Sequence, residues 1–164
     1  MTVGRYSRAG FEEVEDVLNT VDNASIRTAK RVAAEYSKNR KFVRTMETVR
    51  PSILLRLGIN TEGYLPFAYE LPNRRLPEKD RRIVEEYLDR RRKKEAVEIT
   101  VEERVGEGQK EIIRSVFIDG MKNAEASRTY DVSVSTVNRM RKNAYEELVC
   151  ELILAGICCE ENGE

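Results

Sequence analysis

Between residues 128 and 142 the chain sets out side chains suited to one kind of chemistry, recognition of a nucleic-acid duplex. Ser135, Thr136, Asn138 and Arg139 stand close together, flanked by Arg128, Ser133 and Lys142. Arginine donates two hydrogen bonds to a guanine edge, asparagine pairs with adenine, and serine, threonine and lysine hold phosphates. The spacing predicts a helix that turns Val137, Met140 and Ala144 inward, with Ser135, Thr136, Asn138, Arg139 and Lys142 on the opposite face. Arg139, Ser135, Thr136 and Asn138 are therefore expected at or near the bases. Lys142, Ser133 and Arg128 are expected at the phosphates. An ordinary helical hairpin with a solvated polar face is the competing reading.

Such a face works only if other elements hold it out. Upstream, Ile112, Ile113, Val116 and Phe117 form one side of a helix that stops at Asp119-Gly120, where glycine supplies a left-handed cap. A second short helix starts at Asn123 and is expected to carry Ala126, Thr129 and Tyr130 inward. Ala126 and Ser127 are small enough for two helices to cross there. Asp131 belongs to the few residue types that adopt positive φ, Val132 is an apolar plug, and Ser133 caps the next helix. Helix, short turn, helix is the geometry of a DNA-reading helix-turn-helix. The last helix continues through Tyr145, Leu148, Val149, Leu152 and Ile153, a stripe that either closes the core or forms a dimer seam.

The run from Glu111 to Gly120, with Glu125-Ala-Ser127, Asp131-Val-Ser133 and Ser135-Thr-Val137 through Arg139 to Ala144, resembles the region 4 helix-turn-helix of sigma-70 factors. It is closest in look to the small phage and prophage regulators built on that module, the ArpU/RinA-like late-gene and autolysin regulators. The resemblance covers residues 109–150, about a quarter of the chain. It implies a module that reads a promoter element in the major groove of double-stranded DNA and touches RNA polymerase. Asp131 stands where that family usually has glycine. Nothing upstream looks like the aromatic-rich, promoter-melting part of a complete sigma factor, so a regulator fits better.

The rest of the chain narrows the function by what it lacks. Among 164 residues there is no histidine and no tryptophan, which removes the commonest general base and metal ligand. Three cysteines, Cys150, Cys158 and Cys159, show no C-x-x-C spacing and read as reduced, buried thiols. The acidic set Glu98, Glu102 and Glu103 has no partner group for a metal site, and no phosphate-binding glycine loop occurs. No catalytic set, metal or cofactor is expected. No apolar run approaches the roughly 20 residues of a membrane span, and the opening MTVGRYSRAGFEE lacks a signal-peptide core. A cytoplasmic protein with no membrane partner is the expectation.

Twenty-nine basic and 29 acidic residues cancel, yet the charge is blocked: residues 24–50 carry +6, 72–94 carry +5 and 112–144 carry +3. Acidic blocks lie between, as on a nucleic-acid binder whose acids face away from phosphate, or on plain amphipathic helices. Asp22 or Asn23 caps a helix carrying Ile26, Ala29, Ala33 and Tyr36. Ser37-Lys38-Asn39 is expected to interrupt it, and Phe42, Val43, Met46 and Val49 resume it until Pro51. With Ser37-Lys38-Asn39 as a turn, residues 32–43 would form a second helix-turn-helix, with Arg40, Lys41 and Arg44 at phosphates. Otherwise these helices pack or oligomerise.

Residues 58–77 hold two glycines and three prolines and read as an irregular connector, whose Tyr64, Leu65, Phe67, Tyr69 and Leu71 should pack on something. Residues 78–95 read as a basic helix, and Val97, Ile99 and Val101 as a short strand or as more helix. The chain thus divides into a helical N-terminal region (1–57), a connector with a basic helix (58–108), a helix-turn-helix domain (109–157) and an acidic tail (158–164). The fold class is all-α. The expected function is a sequence-specific DNA-binding transcription regulator of phage or mobile-element type, with no enzyme activity and able to form a homodimer. A small terminase-like packaging protein, or a module that binds only polymerase, would use the same fold. A closed ring in solution would favour packaging.

Overall fold

A computed structural model describes residues 23–66 and 76–157. Residues 1–22, the Phe67, Tyr69 and Leu71 part of the connector, Cys158, Cys159 and the acidic tail lie outside the described residues. Within them every regular element is helical. These are α1 (Asn23–Ala34), α2 (Tyr36–Val49), α3 (Pro51–Arg56), α4 (Glu78–Ile99), α5 (Lys110–Phe117), α6 (Asn123–Tyr130) and α7 (Val134–Leu154), with a π-helical turn, Thr100–Arg104, after α4. No helix among the described residues is long and apolar enough to cross a membrane.

The break between α1 and α2 falls at Glu35, two residues before the expected interruption. Glu35 sits at φ −89°, ψ 2°, while its amide still donates to Arg31 O and its carbonyl still accepts from Asn39 N, both at 2.9 Å. The two helices are therefore one rod with a slight bend. Ser37, Lys38 and Asn39 are helical, so the turn that a second helix-turn-helix would need at those positions does not form. The reason is tertiary: Tyr36, Asn39, Val43 and Met46 are all buried, and helical spacing puts them on one face.

Two apolar clusters lie along this rod. One gathers Ala29, Val32 and Tyr36 with Ala96, Val97 and Val101, with Ile113 and Phe117, and with Leu148, Val149 and Leu152 of α7. The other gathers Val43 and Met46 with Leu54, Leu57, Ile59 and Leu65, against Val84, Tyr87 and Leu88. Helix α4, roughly 33 Å long at 1.5 Å per residue, runs from one cluster to the other. Val97, Ile99 and Val101 are buried because several elements surround the end of α4, and their alternation reflects burial on many sides of a helix rather than a strand. The stripe Leu148, Val149 and Leu152 is likewise consumed inside the chain, while Ile153 stays exposed.

The basic run at 90–94 is not a free cationic patch. Arg90 pairs with Glu86 at 3.0 Å, Lys93 with Asp89 at 2.9 Å and Lys94 with Glu98 at 3.0 Å. Arg91 points inward and meets Glu95 at 2.7 Å, with both side chains almost wholly buried. Its guanidinium also donates to Asn60 O at 2.6 Å and Gly63 O at 3.1 Å, and Glu95 accepts from Leu65 N at 2.7 Å. The first part of the connector is thus pinned to α4 through its backbone, which leaves Leu65 buried in the second cluster.

Candidate nucleic-acid interface

Local chemistry sets the path from α5 to α7. After α5 the chain reverses at Gly120, φ 73°, and Met121 N donates back to Ser115 O at 2.9 Å, a backbone bond that closes the reversal. Lys122 is extended and α6 begins at Asn123. Ala126 is fully buried, which allows α6 to lie close to its neighbours. Tyr130 is half-buried and its hydroxyl meets Ser115 Oγ at 2.5 Å. Thr129, expected inward, is exposed.

The turn is closed from both sides. Asp131 is left-handed at φ 53°, ψ 50°. Ser127 Oγ donates to Val132 O at 2.5 Å, and Val132 is half-buried against the first cluster. Ser133, at φ −70°, ψ 154°, caps α7: its hydroxyl accepts from Thr136 N at 3.1 Å. The same hydroxyl lies 2.7 Å from Thr136 Oγ1 and 3.1 Å from Ser135 Oγ, so the three hydroxyls cluster where the helix's first amides carry partial positive charge.

Beyond the cap, Val137 and Ala144 are buried and Met140 is half-buried. Ser135, Asn138, Arg139 and Lys142 are all exposed, and their i, i+3, i+4, i+7 spacing places them on one face. Thr136 is half-buried beside them. Arg128 is exposed on α6. Arg128, Arg139 and Lys142 make no ion pair among the described residues. Residues 132–145 contain no acid. The acids of α7 come later, and two of them turn to Arg104, with Glu151 at 2.7 Å and Glu147 at 3.1 Å. Helix α7 is therefore basic and exposed at its start, with its later acids partly answered by a cation of the π-helical turn.

Three residues near this face escape a reading by spacing alone. Asn123 donates from its carboxamide to Asn138 Oδ1, and its own oxygen accepts from Arg141 Nη1 at 2.8 Å. Arg141 Nε donates to the Tyr145 hydroxyl at 2.6 Å, so this arginine lies against the protein rather than beside Arg139. Lys30 of α1 reaches the same region, its ammonium 5.8 Å from the centre of the Tyr145 ring. The signal available in sequence was the i, i+4 spacing of Arg141 and Tyr145. Lys30 had none, being over 90 residues away. Of the acidic set, Glu98 accepts from Tyr36 Oη at 2.7 Å and Glu102 from Arg114 at 2.5 Å. No family model, curated protein or solved structure matches the chain.

Proposed function

We propose that this chain is a sequence-specific DNA-binding transcription regulator of phage or mobile-element type, with α6, the turn at 131–133 and α7 acting as a helix-turn-helix. One observation carries the reading: Ser135, Asn138, Arg139 and Lys142 share one exposed face of a helix that is capped at Ser133 and free of acids until Glu146. Arg139 and Asn138, with Ser135 and Thr136, meet base edges in the major groove. Ser133, Lys142 and Arg128 meet phosphates. Asn138 presents its amide nitrogen to the bases while Asn123 holds its oxygen. The resemblance to sigma region 4 supports action alongside RNA polymerase, and a cytoplasmic site of action follows from the same reading.

Selection from a randomised duplex pool on the immobilised full chain tests this. Enrichment of a short common sequence is expected, and loss of that enrichment with Arg139→Ala. A pool that stays random after repeated rounds would overturn sequence reading.

A further inference from the structure

A groove of about 520 Å³ runs between α1 and the first half of α7. Three cations line it, Lys30 from α1 with Arg141 and Lys142 from α7, together with the carboxamides of Asn23, Asn123 and Asn138. Its apolar floor is Ile26 and Tyr145, and no carboxylate is among its lining residues. The nearest acid along α7, Glu146, lies outside that lining. In a chain with equal numbers of acids and bases, whose α4 cations are mostly paired, a concave surface with three cations and no acid is the exception. Cations gathered in this way repel one another and raise the local potential for an anion.

The groove is continuous with the exposed face of α7, since Asn138 and Lys142 belong to both. Arg141 is held in place by Asn123 and Tyr145, and its Nη2 makes no hydrogen bond among the described residues. Lys30 is exposed, and no acid stands three or four residues to either side of it on α1. Its helix is fixed to α7 through the cluster that holds Ala29, Val32, Ala144 and Leu148. Lysine serves phosphate as a compact, mobile point charge, which suits a group reaching across a groove.

We infer that this groove is a backbone-phosphate site of the duplex interface, in which Lys30 and Lys142 grip the strand that borders the bases met by Arg139. The inference rests on the DNA reading above and adds α1 to the interface. Helix α1, more than 90 residues away in sequence, then contributes a contact that carries affinity but no sequence information.

The test uses the full chain and a short fluorescein-labelled duplex of scrambled sequence, with binding followed by anisotropy across a salt series. Loss of one phosphate contact lowers the slope of log K against log salt by about 0.9. Lys30→Gln should show that loss, and Lys30→Arg should restore the slope. Lys79→Gln, which removes an exposed cation on the first turn of α4 outside the groove, should leave the slope unchanged. Equal slopes for Lys30→Gln and the unaltered chain, where the latter binds with a steep salt dependence, would overturn the groove assignment alone. Equal loss from Lys30→Gln and Lys79→Gln would overturn it as well, by showing only a diffuse field. No salt-dependent binding by the unaltered chain would overturn the DNA reading and this inference with it.

Discussion

Ser127 and Val132 grip each other across the turn between α6 and α7: the serine hydroxyl donates to the valine carbonyl at 2.5 Å, and the valine amide donates to the serine carbonyl at 3.1 Å. The six-residue segment they close, Ser127 to Val132, holds Asp131 in the left-handed region, which costs most L residues energy and glycine almost none. Asp131→Gly should therefore keep or raise stability, whereas Asp131→Val should lower it by about 1–3 kcal/mol. Urea unfolding followed by circular dichroism gives the order, and a valine variant as stable as the glycine one would contradict the turn.

Ser133 separates a structural role from a binding one. Ser133→Ala removes the cap on Thr136 N and should cost about 1 kcal/mol. Ser133→Asp keeps an acceptor there and should hold stability, yet it places a negative charge where a phosphate is expected. Its thermal midpoint should match that of the unaltered chain while its affinity for duplex falls. Unchanged affinity would remove the start of α7 from the interface.

Arg91 and Glu95 are a buried pair whose other bonds hold the backbone at Asn60, Gly63 and Leu65. Glu95→Ala strands a buried guanidinium and should cost about 3–5 kcal/mol, while Arg91→Met with Glu95→Leu together should cost less. Urea midpoints of the single and double variants decide it. A single variant within error of the unaltered chain would show that the connector is not held from α4.

Three tyrosines make the fold sensitive to alkali. Burial raises the Tyr36 phenol well above its usual range, and its hydrogen bond to the Glu98 carboxylate adds to the shift. Tyr87 is raised in the same way by burial and by Glu47. Tyr64 is pushed up to about 12, first by burial and then by the charges of Glu98 and Glu103. The unfolded chain releases these protons from about pH 10, before the folded chain does. Stability should be flat with respect to them below that pH and fall as pH rises above it. Tyr36→Phe should make the fall shallower, measured as the thermal midpoint between neutral pH and pH 11. An equally steep fall in the phenylalanine variant would assign the sensitivity elsewhere.

What sequence alone shows here is mostly short-range. Gly120, Asp131 and Ser133 mark the two turns because a backbone reversal demands particular residue types at particular places, whatever the rest of the chain does. Helical periodicity placed Val137 and Ala144 inward and Ser135, Asn138, Arg139 and Lys142 outward for the same reason. Long-range choices were not legible. Ser37-Lys38-Asn39 looks like a break because Ser37 and Asn39 offer the backbone competing hydrogen bonds, but burial of Asn39 on one face of α2 overrides that preference. The Arg90–Lys94 run reads as the end of a basic helix until partners one turn away, and the loop beneath Arg91, are known. Lys30 and α7 meet only because α1 packs on a helix more than 100 residues later.

The division of labour on α7 is the central claim, and anisotropy of duplex binding by single alanine variants tests it most directly. The assay compares a selected with a scrambled duplex across a salt series. Arg139→Ala should lose about 1–3 kcal/mol on the selected duplex and little on the scrambled one, while Lys142→Ala should weaken both alike and flatten the salt slope. Equal losses from both variants on both duplexes would contradict a base-reading arginine beside a phosphate-holding lysine.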